Sequence, residues 1–162
     1  MKFLSLTAGF VLPAVLASAA QAQLVNHKDL SLATALAIAT TASETCKAQG
    51  NRVTVAVIGR TGELIVQLRG DDASPHTLDF SSRKAYTART FRIASGEIAN
   101  RFKQDPAYFA VHVPNTAPTQ GALPIKIGDE VIGGVGVSGA PGGEKDEACA
   151  QAGLDKVADL LK

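Results

Sequence analysis

The chain has 162 residues, 46% hydrophobic and 19% charged, a globular composition rather than a disordered or collagen-like one. Lys plus Arg total 16 against 15 Asp plus Glu, so no basic excess draws the chain to nucleic acid. Trp is absent and Phe plus Tyr total eight, too few for a stacking platform on single strands. Residues 1–22 have the order of a secretory signal peptide: Lys2, an apolar run from Phe3 to Ala17, then Ala20-Gln21-Ala22 as the small-x-small cleavage pattern. The apolar run is shorter than the roughly 20 residues that span hydrocarbon, which argues against an uncleaved membrane anchor. Cleavage before Gln23 leaves residues 23–162 as a single domain, periplasmic or extracellular, with 15 basic and 15 acidic residues. In an oxidising compartment Cys46 and Cys149 invite one disulfide, with two free thiols as the alternative.

The first expected element is an Ala-rich helix over 31–49. Ser31 is placed to cap it, and Leu32, Ala35, Leu36, Ala39, Ala42 and Cys46 fall on one stripe. Arg52–Ile58 and Glu63–Arg69 alternate apolar residues around Gly59-Arg60-Thr61-Gly62 and read as a hairpin. A helix follows from Thr77 to Phe91, with Phe80, Ala85, Ala88 and Phe91 as its apolar or small positions, then a shorter one from Ser95 to about Phe102. Tyr108–Val113 reads as a strand. Leu123–Ile127 and Glu130–Val137 form a second hairpin around Gly128-Asp129. Glu144–Leu161 is the last helix, its N-terminal acids complementing the dipole. The order α-ββ-αα-βββ-α has two hairpins and no βαβ alternation, so the fold class is α+β, an antiparallel sheet flanked by helices. If the first and last helices pack antiparallel on one side of that sheet, Cys46 and Cys149 meet.

Gly134-Val135-Gly136-Val137-Ser138-Gly139 matches the G-x-G-x-x-G spacing, but the glycines start inside a strand and no later strand carries the acid that holds a ribose. Gly133, Gly134 and Gly136 instead leave one sheet face bare, open to another backbone or to a flat ligand. No Gly-x-Ser-x-Gly elbow is present, and His27, His76 and His112 are too dispersed for a paired metal site. His76, in a polar turn before a helix, is the residue best placed to ligate iron through a neutral imidazole. Arg69, Arg83, Lys84 and Arg89 cluster around the same turn and helix. They form either a solvated face or a grip for carboxylates, such as haem propionates or a small organic acid. Asp72 near Arg83 is equally suited to a structural ion pair.

Several blocks, in order, resemble the GlcG/HbpS-like family of haem-binding proteins. They are 69–77 (Arg69-Gly70-Asp71-Asp72-Ala73-Ser74-Pro75-His76-Thr77), 82–88 from Ser82 to Ala88, 121–125 from Gly121 to Ile125, 132–139 from Ile132 to Gly139, and 146–153 from Asp146 to Gly153. The family pattern reads Asp-Gly-Ala where this chain has Asp71-Asp72-Ala73, and Gly there permits a positive φ. The resemblance implies a compact α/β sandwich, self-association into dimers or larger assemblies, and, for secreted members, haem binding linked to haem degradation or iron-dependent redox sensing. Related domains accompany cobalamin adenosyltransferases, and others lie near glycolate-utilisation genes.

Three functions follow as expectations. The first is an exported haem-binding protein whose porphyrin lies on the glycine-bared face. His76, or a hydroxyl such as Thr77, reaches the iron, and Arg69, Arg83 and Lys84 hold the propionates. The second is a small-organic-acid enzyme or accessory factor that grips a carboxylate through Lys84 or Arg83. The third is an oligomeric partner-binding module with incidental haem affinity. The absence of a recognisable catalytic constellation leans the reading away from an enzyme.

Overall fold

The structure is a computed structural model that describes residues 24–105, 107 and 113–162. The segment 1–22 and residues 108–112 of the strand expected over Tyr108–Val113, His112 among them, lie outside the described residues. In chain order the elements are α1 (Leu32–Ala48), β1 (Thr54–Ile58), β2 (Leu64–Arg69), α2 (Thr77–Phe91), α3 (Ser95–Gln104), β3 (Ala122–Ile127), β4 (Glu130–Ser138) and α4 (Gly143–Lys156), with a 3-10 turn at Ala158–Leu160. The four strands form one antiparallel sheet in the order β2-β1-β4-β3. Pro124 sits on β3, an edge strand, where its missing N–H costs no inner ladder bond.

The sheet has two differently built faces. On one, Val53, Val55 and Val57 of the β1 segment and Val135 and Val137 of β4 meet Ala35, Ile38, Ala39 and Ala42 of α1 and Ala150 of α4 in the main apolar core. The expected α1 stripe is rotated. Leu32 and Leu36 are exposed, and Ile38 takes the inward position, because the helix turns its small residues toward α4. Ser31 caps α1 as expected, its Oγ accepting from Thr34 N at 3.1 Å. Cys46 and Cys149 form a disulfide between α1 and α4, with Cα atoms 5.6 Å apart across a separation of 103 residues, and both are fully buried.

On the opposite face α2 lies across β1, β3 and β4. Its buried residues are Thr77, Ser81, Lys84, Ala85, Thr87 and Ala88, a small and polar set. They suit a helix that must come close rather than interdigitate. A Cβ on Gly134 would stand 2.5 Å from Ala85 O, and one on Gly136 would stand 2.6 Å from Ala85 N. The glycine-bared face is therefore not open to a ligand: α2 occupies it, backbone against backbone. Gly133 points to neither solvent nor ligand, since a Cβ there would meet Ile58 O and Leu30.

Gly136→Ala is expected to cost about 1–3 kcal/mol in urea unfolding by forcing α2 off the sheet. An unchanged midpoint would mean that the helix does not sit this close. Reducing the Cys46–Cys149 bridge is expected to cost about 2–5 kcal/mol, read as a lower thermal midpoint with a reductant present.

Candidate functional site

The turn from β2 into α2 places the candidate residues. Asp72 adopts φ 58°, so this chain keeps the left-handed turn with Asp where glycine is the easier choice. Arg69 Nη2 donates to Ala73 O across the turn. Thr77 Oγ1 donates to Ser74 O at 2.6 Å and bonds Thr54 Oγ1 at 2.7 Å, which pins the start of α2 to β1. Thr77 is fully buried, so its hydroxyl is a structural tie and is turned away from any ligand.

His76 sits at the N-cap of α2, is exposed, and makes no side-chain capping bond. Its ring meets Phe80, one turn on, edge to face, with centroids 6.0 Å apart and an interplanar angle of 82°. No hydrogen bond or ion pair engages its imidazole among the described residues. His76 and Phe80 stand at the side of a shallow hollow of about 410 Å³, whose lining includes Ser138, Gly143, Lys84 and Asp146.

Lys84 and Asp146 form a buried ion pair in this hollow. Nζ lies 2.9 Å from Asp146 Oδ2 and donates to Val137 O at 3.1 Å, and the two side chains are 6% and 4% exposed. Asp146 Oδ1 accepts from Ala140 N at 3.0 Å. Burial pushes the Asp146 carboxyl above the usual carboxylate range, outweighing the Lys84 ammonium and the Ala140 N–H, which favour its charged form. Lys84 was expected to be a free cation for a ligand. It is instead half committed to the protein's own carboxylate.

The remaining cations disperse. Successive helical residues diverge by about 100°, so Arg83 and Lys84 leave α2 on different sides. Arg83 pairs with Asp79 at 3.2 Å and donates to Thr116 O at 3.0 Å, beside Tyr86 and Asn115 in another hollow. No Asp72–Arg83 pair forms among the described residues. Arg69 lines a separate cleft with Lys47, Arg52 and Asp72 at the end of α1. Arg89 donates to Arg60 O. His27 lies 4.0 Å from Asp29 in an exposed segment. Of the residues singled out in the sequence, the structure thus brings His76 and Lys84 to one hollow and leaves Arg69, Arg83 and Thr77 outside it.

Ser138 and Asp146 of this hollow were not singled out as site residues. Asp146 reads in the sequence as one of the acids that complement the dipole of α4, and nothing local links it to Lys84, 62 residues earlier. Among the described residues no cluster of three or more His, Cys, Asp or Glu stands ready for a metal, and no helix is long and apolar enough to cross a membrane.

The profile of a family described as haem-degrading protein, HbpS-like, matches residues 30–155. The chain belongs to the HbpS-like family. A Citrobacter freundii relative, an uncharacterised 15.0 kDa protein of the dhaT-dhaS intergenic region, is 32% identical over 111 residues, which are 67% of this chain and 78% of the relative. The crystal structure of a double Glu-to-Asp mutant of Streptomyces reticuli HbpS is 36% identical, covers 88% of this chain and 97% of its own, and superposes with a TM-score of 0.78. PduOC in complex with haem shares the HbpS-like fold at a TM-score of 0.71 and 22% identity, covering 78% of this chain and 94% of its own.

Asp146→Ala strands a buried ammonium and is expected to cost about 3–5 kcal/mol, whereas the double variant Lys84→Met/Asp146→Leu costs much less. Folding raises the Asp146 pKa, so the stability it contributes is complete below the ordinary carboxylate range and is lost as pH rises through the raised folded value. Urea midpoints of wild type and the double variant at about pH 4 and pH 7 are expected to show the wild-type advantage shrinking at the higher pH. A growing advantage would mean that Lys84 dominates the carboxyl.

Proposed function

We propose that the chain is an exported haem-binding protein that handles or senses haem iron in the periplasm or outside the cell. The observation that carries this reading is the His76 imidazole, exposed, without a hydrogen bond, and backed by Phe80 at the side of a hollow. A neutral imidazole nitrogen is an ordinary axial ligand for haem iron. The residues present fit the group in part. His76 suits the iron, the Phe80 ring suits the edge of a macrocycle, and the Lys84 ammonium suits a propionate. Arg69 and Arg83 line other hollows and are not part of this grip.

The hollow gives a planar ligand one wall only. A second copy of the chain is the simplest source of the other, which makes the binding unit a homo-oligomer. Bound haem supplies the redox and oxygen chemistry of its iron. The chain's own part would be to present the His76 imidazole and the Phe80 ring and to hold the Lys84–Asp146 pair in the same hollow. Membership of the HbpS-like family supports the haem reading. A bridged Cys46–Cys149 pair supports an oxidising compartment.

Mass spectrometry of the exported protein is expected to find Gln23 as its first residue. Haemin titration of the purified protein is expected to give a saturable Soret shift that His76→Ala abolishes or moves, while Arg69→Ala and Arg83→Ala leave it in place. A wild-type protein that gives no Soret shift sinks the haem reading. A His76→Ala protein with an unaltered spectrum sinks the ligand assignment.

A further inference from the structure

The lining of the His76 hollow brings together several hydrogen-bond donors and a single carboxylate. Asp146 is the one carboxylate on it, and both its oxygens are already engaged, Oδ2 by Lys84 Nζ and Oδ1 by Ala140 N. An ammonium carries three N–H donors, and Lys84 directs two of them to Asp146 and Val137 O. The third has no acceptor among the described residues.

Ser138 stands beside it at the end of β4, 4% exposed and lining the same hollow. Its hydroxyl has no hydrogen-bond partner among the described residues, although Thr54, opposite it on β1, bonds Thr77 of α2. The Ser138 Oγ is not one of the fully enclosed unpartnered atoms, so it opens onto the hollow, where water or a ligand oxygen can complete it. Gly143, also in the lining, opens α4; Lys145 N and Asp146 N already bond Gly142 O, and the N–H groups of Gly143 and Glu144 have no acceptor among the described residues. The absence of a side chain matters there, since a Cβ would stand 2.7 Å from Gln120 Cβ.

We infer that Ser138, Lys84 and the N-terminus of α4 form a carboxylate-binding subsite at the floor of the hollow. This rests on reading that hollow as the ligand site, but it does not require iron. The chemistry recognised is a carboxylate, which a haem propionate and a free small organic acid both carry. The Lys84–Asp146 pair holds the ammonium in place, so the ligand meets a fixed donor set instead of a mobile side chain.

The experiment compares wild type with Ser138→Ala in binding haemin, haemin dimethyl ester and small acids such as acetate or lactate. Ser138→Ala removes an unpartnered hydroxyl, so its thermal midpoint is expected to hold or rise. If a propionate fills the subsite, the ester binds wild type about tenfold more weakly than haemin does, and Ser138→Ala brings haemin down to the level of the ester. If a free acid fills it, acetate or lactate raises the midpoint of wild type and not of Ser138→Ala, even where haemin gives no Soret shift and the haem reading has failed. The inference is overturned if haemin and its ester bind alike and no acid stabilises the protein. It is equally overturned if Ser138→Ala matches wild type toward every ligand. The ester and acid arms need no variant, so the outcome does not hang on how Ser138→Ala folds.

Discussion

The close seat of α2 on Gly134 and Gly136 determines where the other parts of the site fall. The helix lies where side chains of β4 would otherwise stand, because those positions have none. With Ala85 resting on the strand backbone, Lys84 reaches Val137 O near the end of β4 and Asp146 on α4. His76 and Phe80, at the start of the same helix, come to the side of the hollow that this pair underlies. A helix held a few ångströms farther out would separate the imidazole, the ammonium and the end of the strand.

Much of the fold is legible in the sequence. Ser31 and Gly50 bracket α1, alternation and turn residues mark both hairpins, and α2 begins and ends where its pattern does. The faces are harder. Leu32 and Leu36 are the largest apolar residues near the start of α1, yet they lie outside, since a helix packed against another helix and a valine-rich sheet has room inside chiefly for Ala and Ile38. The buried side of α2 carries Ser, Thr, Lys and Ala, which a search for apolar stripes passes over. The glycines of β4 are visible in the sequence as a missing surface, but the sequence does not say what fills it.

The candidate site is legible to a smaller degree. His76 stands out because a turn before a helix exposes it. Lys84 stands out only as one of four nearby cations, and helical geometry then sends each of them somewhere different. Asp146 and Ser138 carry no local signal, because their meaning comes from contacts tens of residues away. Asp72 shows the opposite case: an Asp that holds a left-handed backbone at a position where the resemblance calls for glycine.

Helix α4 carries Asp146 and, three residues later, Cys149, so one turn of it is fastened ionically to α2 and covalently to α1. The two helical layers are thereby moored to each other around the rim of the sheet as well as through it. With the two cysteines reduced only the ionic mooring is left, and the cleft above it loses its stiffest support. Oxidation of the cysteine pair therefore completes the support of the cleft as well as closing a covalent loop.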